Sequence, residues 1–496
     1  MRGPGEAMPR RDLFVLRLLV LAGSALVAKV LWQLGQVAVA NAAQPLSHLI
    51  WPFCALVLVQ TLGVWHLYLN FRKSAAPPAR PGWSVDVFIT AYDEDPALLE
   101  TTLKAAAAMR YPHRTYLLDD GRRGRLRILA ESLGAAYLTR EGNKDHKAGN
   151  INAALGRTSG ELVAVFDADH APTPDFLDKT LGFFADDGVG FVQAMQTFSN
   201  CRENLVTRAA AEATHEYFNI AAVCADSLGA ACLHGTNAVI RRSALGSVGG
   251  YLPGLAEDLE TSIALHEKGW RSRYVCEPLG PGLVPTTLGA FWIQQLKWSR
   301  GVVEAALRAL RRGAFSRLRW EQTLAYLVRF SYYSLGLTIP LGALTVFHTL
   351  LCGPSQEMEE LFSGLLMMSA AMVAIRWFML RSLATDADAK AGIHFRGYSI
   401  VYSAWPAYFF SWACLLLRAP IRFMSTPKDS RTRLNALALL PQLAAIAALS
   451  WAIAVRAAAW AQGPFTVLFA AIAILGNWVL LAVLARDGAP PPIRSR

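Results

Sequence analysis

The sequence is poor in charged residues, which make up 17% of its 496 positions, against about 25% in ordinary soluble proteins. Apolar residues are correspondingly abundant, at 53%. The seven cysteines are scattered without a Cys-x-x-Cys pair, so neither a zinc site nor a disulfide framework is indicated. A Gly-x-Gly-x-x-Gly motif and a Walker P-loop are also missing. The chain therefore has the composition of an integral membrane protein, and any phosphate ligand must be held without a glycine-rich loop.

The net charge of +11 would suit either a nucleic acid or an anionic membrane surface. Many of the cations flank apolar stretches, and juxtamembrane Lys and Arg are attracted to anionic lipid headgroups. We therefore expect membrane lipids, and no nucleic acid, among the partners of this chain.

Six apolar stretches are long enough to cross a bilayer, which takes about 20 helical residues. They cover about residues 13–39, 49–69, 330–352, 361–380, 434–453 and 465–484. The first stretch runs past the length of a signal-peptide core, so cleavage is not expected. Arg10 and Arg11 precede the first pair and Arg72 and Lys73 follow it, whereas its connector carries neither residue type. The positive-inside rule therefore puts both ends of this pair in the cytoplasm.

This orientation divides the chain into four parts. Residues 1–76 carry two spans, residues 77–319 form a cytoplasmic domain, residues 320–485 carry the other spans, and residues 486–496 form a cytoplasmic tail. We predict a multi-pass protein of a bacterial inner membrane.

Two further segments are expected to be interfacial helices. Residues 400–417 are apolar, but cations on both flanks favour a helix along the inner face, within 400–422, over a seventh crossing. Basic and apolar residues also alternate from Leu307 to Trp320, which indicates a surface helix ending the soluble domain. A plain basic flank after a soluble domain is the alternative for this second segment.

Strand-like and helix-prone segments alternate from Val85 onward, which favours an α/β domain with a mainly parallel sheet. Strands are expected at 85–90, 116–118, 135–138, 162–166 and 189–192, and helices at 97–110, 126–133, 148–155 and 175–184. In such sheets, ligands bind at the carboxyl ends of the strands.

Acidic residues follow two of these strands directly. Asp119 and Asp120 end one strand, and Asp167 and Asp169 end another. Carboxylates suit Mg²⁺ or Mn²⁺, which bind hard oxygen ligands and usually retain substrate phosphate. Each pair has an ordinary alternative, because Asp-Gly is a common turn dipeptide and Asp-x-Asp often caps a turn. Their coincidence at one edge favours a metal-bridged polyphosphate site.

Two more residues supply the chemistry of a transfer reaction. Lys147 lies at a predicted helix start, where it could neutralise phosphate or be a solvated surface lysine. Asp258, within Glu257-Asp258-Leu259-Glu260, is the best candidate for a base that takes a proton from an acceptor hydroxyl. The alternative is an acidic first turn that merely suits the helix dipole.

The segment Gln294-x-x-Lys297-Trp298 puts a cation beside an aromatic side chain. Lys297, with Arg300, could stabilise a leaving diphosphate, and the indole of Trp298 offers a flat face to a sugar ring. Aromatic and basic neighbours are also usual at membrane interfaces, which is the alternative interpretation.

In order and spacing, Asp-Asp-Gly, Lys-Ala-Gly-Asn, Asp-Ala-Asp-His, Glu-Asp and Gln-x-x-Lys-Trp resemble the processive family 2 glycosyltransferases, especially bacterial cellulose synthase catalytic subunits. The resemblance covers about residues 85–301, and residues 423–428 are similar to that family's Phe-x-Val-Thr-x-Lys gating loop. It implies a GT-A fold and inverting transfer from a UDP-sugar, with Mg²⁺ or Mn²⁺. It also implies a growing polysaccharide that passes between the transmembrane helices.

The resemblance further implies roles by position. The base is Asp258, the donor contacts are Asp119, Asp120, Lys147, Asp167 and Lys297, the metal ligands are Asp167 and Asp169, the acceptor contacts are Gln294, Trp298 and His234, and the gating-loop residues are Phe423, Thr426 and Lys428.

Four departures from the family pattern stand out. Ala256 replaces a Thr before Glu-Asp, Lys297 replaces an Arg and so loses the bidentate fork, and His234 replaces a Cys near the acceptor. No cyclic-di-GMP-binding PilZ domain follows the last span, so that control is not expected within this chain.

Three functions remain in view. The first is a UDP-glucose-dependent β-glucan synthase, with a membrane or periplasmic accessory subunit left open. The second is another family 2 synthase, which makes a hyaluronan-, chitin- or mixed-linkage-type polymer. The third is a transporter or scaffold that carries an inactive enzyme domain.

Overall fold

The computed structural model describes residues 6–40, 50–419, 432, 434–455 and 463–487. Within this part of the chain, the strands are β1 (Glu6–Ala7), β2 (Arg72–Lys73), β3 (Val85–Ala91), β4 (Arg114–Asp119), β5 (Ala136–Leu138), β6 (Leu162–Asp167), β7 (Val189–Ala194), β8 (Thr197–Phe198), β9 (Ala238–Arg241), β10 (Arg271–Val275) and β11 (Pro281–Gly282).

The α-helices in the same part of the chain are α1 (Arg10–Ala40), α2 (Ile50–Leu69), α3 (Pro96–Ala107), α4 (Gly124–Ser132), α5 (His146–Leu155), α6 (Phe176–Thr180), α7 (Leu205–Glu216), α8 (Ala222–Ser227), α9 (Arg242–Ser247), α10 (Glu257–Glu267), α11 (Leu288–Arg311), α12 (Trp320–Ser331), α13 (Leu335–Cys352), α14 (Gln356–Leu383), α15 (Ala387–Lys390), α16 (Phe395–Ser403), α17 (Trp405–Leu416), α18 (Leu440–Val455) and α19 (Pro464–Asp487). A π-helical turn, Tyr217–Ala221, joins α7 to α8.

Seven strands form the central sheet, in the order β10-β7-β9-β6-β3-β4-β5. All seven residues of β3 are buried, as its apolar, β-branched sequence predicts for a strand covered on both faces. Helices cover the sheet on both sides, so two apolar clusters flank it. The predicted α/β domain with a mainly parallel sheet is therefore confirmed.

One strand departs from the parallel arrangement. β9 pairs antiparallel with both β6 and β7, whereas β3, β4, β5 and β6 pair in parallel. The sequence analysis predicted neither β9 nor β10. Both are short: β9 has only three apolar residues before Arg241, and β10 carries two arginines in five residues.

The strand register sets the position of the acids. Asp119 of β4 lies opposite Ala91, and Asp167 of β6 lies opposite Thr90, on the two sides of β3. Neighbouring strands are about 4.8 Å apart, so the backbones of these two residues lie at the same sheet edge roughly 10 Å from each other, with the end of β3 between them.

Five helical segments of the described chain are long and apolar enough to cross a membrane. They are Arg10–Ala40, Ile50–Leu69, Trp320–Cys352, Gln356–Leu383 and Leu437–Val455. The sixth predicted span, residues 465–484, falls in α19, a helix of 24 residues. The assignment of residues to membrane and cytoplasm stays a prediction.

The apolar segment after α15 is broken into two helices at Ala404. α16 has 9 residues and α17 has 12, and each is shorter than the roughly 20 residues of a crossing helix. α16 lies directly on α7. The two helices are so close that a Cβ added at Gly397 would lie 2.7 Å from the backbone nitrogen of Ala213. α16 therefore packs against α7, whereas its expected position along the inner face of the membrane stays a prediction.

Candidate active site

Asp119 holds the turn that follows β4. Its side chain is 0% exposed and accepts the backbone N–H of Gly121 at 3.0 Å and of Arg123 at 2.7 Å. The hydroxyl of Tyr137 donates to it at 2.9 Å. Both carboxylate oxygens are thus occupied inside the protein, so the structure favours a turn-forming role over the predicted contact with a donor.

Asp120 faces a different partner. Arg140 donates to its two oxygens, from Nε at 2.7 Å and from Nη2 at 2.8 Å. The backbone N–H of Asp120 donates to Ala91 at 2.9 Å, which ties the acid to the end of β3. Asp120 therefore lies at the sheet edge beside Asp167, as the sequence predicted, and one flank of it is fixed by a guanidinium.

A three-residue cluster at the end of β6 could hold a divalent cation. The ligand atoms of Asp167, Asp169 and His170 all lie within 4.8 Å of one another. Neither ring nitrogen of the buried His170 has a hydrogen-bond partner among the described residues, which fits a site that a cation completes. The imidazole packs on Gly282, where a Cβ would collide with it.

The predicted metal pair is therefore joined by a third candidate ligand. The sequence analysis placed His170 directly after the second acid without giving it a role. Its position could have indicated one, since imidazole and carboxylate are both common metal ligands. Asp169 also accepts the backbone N–H of Leu283 at 3.3 Å, which connects this cluster to the loop after β11.

Lys147, at the start of α5, lies between the metal cluster and the candidate base. Its ammonium pairs with Asp167 and donates to the carbonyl of Gly235 at 2.6 Å. Burial would lower the pKa of Lys147, but the negative charges of Asp167 and Glu257 raise it above its usual value. The side chain is thus a fully charged group inside the site, and the interpretation as a solvated surface lysine is excluded.

The other residues of Lys-Ala-Gly-Asn position this lysine. Asn150 donates to the carbonyl of Leu118 at 2.9 Å and so docks α5 on the end of β4. Gly149 touches the Lys144 carbonyl and the Arg140 guanidinium so closely that any side chain would collide with them. The motif is therefore required locally to bring α5 up to the sheet edge.

Gly235 marks the point where the candidate catalytic groups converge. A Cβ placed on Gly235 would lie 3.4 Å from Nζ of Lys147, 3.6 Å from Oδ2 of Asp258 and 3.9 Å from Oε1 of Glu257. The residue has a φ of +79°, which favours glycine. The predicted base on α10 is thus brought to the predicted phosphate-binding lysine on α5, although 111 positions separate Lys147 from Asp258 in the sequence.

The environment of Asp258 is tuned for a base. Burial and the neighbouring charge of Glu257 raise the pKa of Asp258 to about 7, against the opposing effect of Lys147 and Lys297. A carboxylate with such a pKa accepts a proton near neutral pH more readily than an ordinary aspartate.

Helix α11 brings the predicted acceptor residues against α10. Gly301 packs on Ala256, the residue before Glu257, at a separation that only glycine allows. Trp298, one turn earlier, is 37% exposed, whereas Gln295 is buried and accepts the hydroxyl of Tyr408 at 3.0 Å. Gln294 and Lys297 are partly exposed on the same helix. Lys297 is close enough for its charge to lower the pKa of Asp258, and contact of Gln294, Lys297 and Trp298 with a donor or an acceptor stays a prediction.

His234 lies at the boundary between the soluble domain and the long helices. Its Nε2 is 2.8 Å from the hydroxyl of Tyr217, and its ring packs edge-on against Phe218 and Tyr274. Burial lowers the pKa of His234 to about 3, so the ring is neutral. The structure places the residue next to Gly235, beside the site, but contact with an acceptor stays a prediction.

The sequence analysis missed the residues at the carboxyl end of β3 and in the loop after it. Thr90 donates to Asp167 at 3.3 Å, and Glu94 accepts the backbone N–H of Tyr92 at 2.7 Å. Burial raises the pKa of Glu94. The rule that ligands bind at strand ends would have pointed to them, because β3 runs between the two strands that carry the acids.

The gating-loop residues Phe423, Thr426 and Lys428 lie outside the described residues. The chain on either side of them is fixed to α11. Arg300 donates to the carbonyl of Ala419 at 3.4 Å, and Thr287 donates to the carbonyl of Thr432 at 2.6 Å. The predicted role of the loop itself stays a prediction.

The predicted basic surface helix has a different construction. Arg308 and Arg312 form ion pairs with Glu260, and Arg312 and Arg317 with Glu267, so these arginines bind α10 of the soluble domain. The segment is also divided, because α11 ends at Arg311 and a 3-10 turn, Ala314–Ser316, follows. Arg308 on α11, with Arg312 and Arg317 just after it, thus fastens the helix of the candidate base to the C-terminal end of the helix of Trp298.

Comparisons with known proteins agree with this geometry. Residues 81–301 match the family model described as glycosyltransferase like family 2. The UDP-forming cellulose synthase catalytic subunit of Xanthomonas axonopodis pv. citri is 34% identical over 301 residues, which cover 58% of this chain and 40% of that protein. The UDP-forming cellulose synthase 1 catalytic subunit of Komagataeibacter xylinus is 28% identical over 402 residues, which cover 76% of this chain and 51% of that protein.

Among solved structures, glucosyl-3-phosphoglycerate synthase from Mycobacterium tuberculosis, in complex with Mn²⁺, UDP-glucose and phosphoglyceric acid, superposes with a TM-score of 0.33. The sequence identity is 18%, over 45% of this chain and 86% of that chain. This likeness is too low to carry an argument about the site.

The mainly parallel sheet, with acids at its strand ends and a cluster that could hold a divalent cation, has the GT-A fold. Residues 81–301 match a family 2 glycosyltransferase domain, and the proteins similar to this chain include cellulose synthase catalytic subunits. The chain spans 40% and 51% of the two relatives described above, so their full activities are not simply transferred to it.

Proposed function

We propose that the protein is a membrane-embedded, processive, inverting glycosyltransferase that polymerises a β-glycan from a UDP-sugar and exports the product. The observation that carries the proposal is the convergence of Asp258, Glu257 and Lys147 at Gly235, directly beside the acids of β6. A base, a cation that suits diphosphate, and carboxylates that suit a metal are the parts that glycosyl transfer requires.

In the proposed reaction, Asp258 takes the proton of the acceptor hydroxyl as its oxygen attacks the anomeric carbon of the donor. A bond forms between that carbon and the acceptor oxygen, and the bond from the same carbon to the diphosphate oxygen breaks. The electron pair leaves with UDP, and attack from the opposite face inverts the anomeric configuration. Asp258 then releases its proton to solvent before the next transfer.

The leaving UDP acquires negative charge, which the site is arranged to stabilise. Lys147 and Lys297 supply fixed positive charge in a partly buried pocket, where it acts more strongly than in water. Asp167, Asp169 and His170 would hold Mg²⁺ or Mn²⁺, which supplies further charge neutralisation when bound. The identity of the metal is part of the proposal.

Polar and aromatic groups continue from the site toward the long apolar helices. His234 contacts Tyr217, and the guanidinium of Arg329 on α12 lies 5.0 Å from the centre of the Tyr217 ring. Nearby, the hydroxyl of Tyr68 on α2 donates to Glu216 at 2.6 Å. Ionisable side chains among membrane helices are costly and usually mark a functional path. They support a route for a hydroxyl-rich polymer that begins at the site.

The proposal favours glucose as the sugar because both relatives described above are cellulose synthase catalytic subunits. A hyaluronan-, chitin- or mixed-linkage-type synthase is the second candidate, and His234 is the observation that favours it. An imidazole, at the position where the resembling family has a cysteine, changes the hydrogen bonds offered near the acceptor.

Replacement of the candidate base tests the proposal. Asp258→Asn should lower polymer formation by washed membranes about 10²–10⁴-fold while UDP still binds, since only proton transfer is lost. Asp187→Asn, at an exposed turn away from the site, is the matched control and should leave polymer output unchanged. Normal output from Asp258→Asn would favour a transporter or scaffold with an inactive domain.

A further inference from the structure

Arg140 is a buried guanidinium at the edge of the site to which the sequence analysis gave no role. It lies at the end of β5, two residues after Leu138, and its side chain is 11% exposed. Its five N–H groups can serve several acceptors at once in a fixed planar arrangement. Five acceptor atoms within hydrogen-bonding distance come from two separate parts of the site: two belong to Asp120, and three, including Oδ1 of Asn143 at 3.3 Å, belong to the loop that leads into α5.

The first part is Asp120. Nε of Arg140 donates to its Oδ1 at 2.7 Å, and Nη2 donates to its Oδ2 at 2.8 Å. This is the bidentate geometry in which Arg fixes both the position and the plane of a carboxylate. The carboxylate is 5% exposed, so without the guanidinium it would be a buried charge with no compensation. Each oxygen still has a lone pair that can accept a hydrogen bond from a ligand.

The second part is the loop that leads into α5. Nη1 donates to the carbonyl of Lys144 at 2.6 Å, and Nη2 donates to the carbonyl of His146 at 2.7 Å. In this loop, Asp145 and His146 both have a positive φ, at 60° and 45°, which is costly for residues other than glycine. The carbonyl contacts therefore brace a strained loop and, in return, hold the guanidinium in one orientation.

Gly149 completes the arrangement. A Cβ at this position would collide with Nη1 of Arg140 and with the carbonyl of Lys144. The glycine of Lys-Ala-Gly-Asn thus leaves the room that the guanidinium occupies. The guanidinium of Arg140 therefore packs against Gly149 of α5 and donates to two carbonyls of the preceding loop. Its Nε and Nη2 groups donate to Asp120.

We propose that Arg140 is a positioning residue for the nucleotide, and that it acts through Asp120 by holding that carboxylate in one plane. This inference rests on the proposed function, in which Asp120 contacts the UDP part of the donor. The uracil ring carries an N–H group that a carboxylate can accept. Asp120 would accept this hydrogen bond only while Arg140 holds the carboxylate in the right orientation.

A double-mutant cycle on UDP binding tests this inference with the full-length protein in detergent. UDP is the probe because every candidate donor contains it, and its dissociation constant is measured by calorimetry in the presence of Mn²⁺. Arg140→Met and Asp120→Asn should each weaken UDP binding at least about tenfold, the order expected for a hydrogen bond to a charged group. The double variant should bind UDP within about threefold of the weaker single variant, because two residues that act through one contact are not additive.

A conservative variant and a matched control accompany the cycle. Arg140→Lys keeps the charge but loses the fork, so its affinity for UDP should fall between those of the wild type and Arg140→Met. If Arg140→Met is not recovered in folded form, Arg140→Lys takes its place in the cycle. Arg157→Met is the control, because Arg157 is exposed and donates to the carbonyl of Thr139, next to Arg140, at 2.6 Å. It should leave UDP binding unchanged.

Two outcomes would overturn the inference. Additive losses in the double variant would show that Arg140 contacts the ligand itself or acts elsewhere. An unchanged affinity of Arg140→Met for UDP would show that Asp120 does not depend on Arg140 for its orientation. If the wild type failed to bind UDP at all, the proposed function would fail instead, so the two failures are distinguishable.

Discussion

Gly301 on α11 packs directly on Ala256, and a Cβ at position 301 would lie 2.9 Å from the Cβ of Ala256. Ala256 precedes the acidic first turn of α10, and Trp298 lies one helical turn before Gly301. The contact therefore fixes the distance between the candidate base and the exposed indole. The salt bridges of Glu260 and Glu267 hold the same two helices together farther along.

Gly301→Val should lower kcat about tenfold or more, because a larger residue pushes the first turn of α10 away from the acceptor. The donor KM should change much less, since Asp120 and Lys147 lie on other elements. The measurement is steady-state incorporation of labelled UDP-sugar. Gly246→Ala is the control, as no atom lies within 4 Å of its added Cβ. Equal losses from both variants would contradict the role of this contact.

The pKa of Asp258, raised to about 7, predicts how activity depends on pH. The base is active when deprotonated, so kcat/KM should fall about tenfold per pH unit below 7 and level off above it. Glu257→Gln removes a neighbouring negative charge that raises this pKa, so the acidic limb should move to lower pH.

A pH profile of kcat/KM for wild type and Glu257→Gln is the measurement. Glu277→Gln, which removes the partner of Lys179 on another part of the surface, is the control and should leave the profile in place. If Glu257→Gln and wild type share the same acidic limb, the titrating group is not Asp258.

Trp298→Ala should reduce elongation by about 100-fold while UDP binding stays within about threefold, because the indole orients the acceptor and not the nucleotide. Leu310→Ala is the control, since Leu310 is exposed on the same helix, α11. The measurements are polymer yield and UDP affinity. Simultaneous loss of both in Trp298→Ala would show that the residue supports the fold instead.

The candidate metal ligands predict a graded response to cation removal. Chelation should abolish incorporation, and Asp169→Asn or His170→Ala should raise the Mn²⁺ concentration for half-maximal activity about 10- to 100-fold. His113→Ala is the control, because His113 lies just before β4, at the opposite end of the strand from Asp119, and its Nδ1 is 2.7 Å from the carbonyl of Tyr111. A His170→Ala enzyme with wild-type metal dependence would remove this residue from the set.

Several parts of this site were predictable because they obey local rules. A run of buried apolar residues predicts β6, and an acid directly after a parallel strand must lie at the ligand-binding edge. Asp119 obeyed the same rule, yet its carboxylate turned inward, because the N–H groups of Gly121 and Arg123 are close enough to satisfy it. Position at the edge could be read from sequence, whereas the direction of the side chain could not.

Other parts depend on contacts between distant residues. No local pattern joins Arg140 to Asp120, or Arg312 to Glu260, since such pairs exist only once the chain has folded. The antiparallel strand β9 was missed for a related reason, because its four residues gain their place from β6 and β7 and not from their own pattern. Sequence patterns thus identify the groups of the site better than the partners that position them.

The central claim is that the site builds a glucan from UDP-glucose. The most direct test supplies washed membranes separately with radiolabelled UDP-glucose and UDP-N-acetylglucosamine, with Asp258→Asn membranes as the blank. Our account predicts alcohol-insoluble, β-glucanase-sensitive product from UDP-glucose alone, and none from the variant. Incorporation of N-acetylglucosamine only, or equal product from Asp258→Asn membranes, would contradict it.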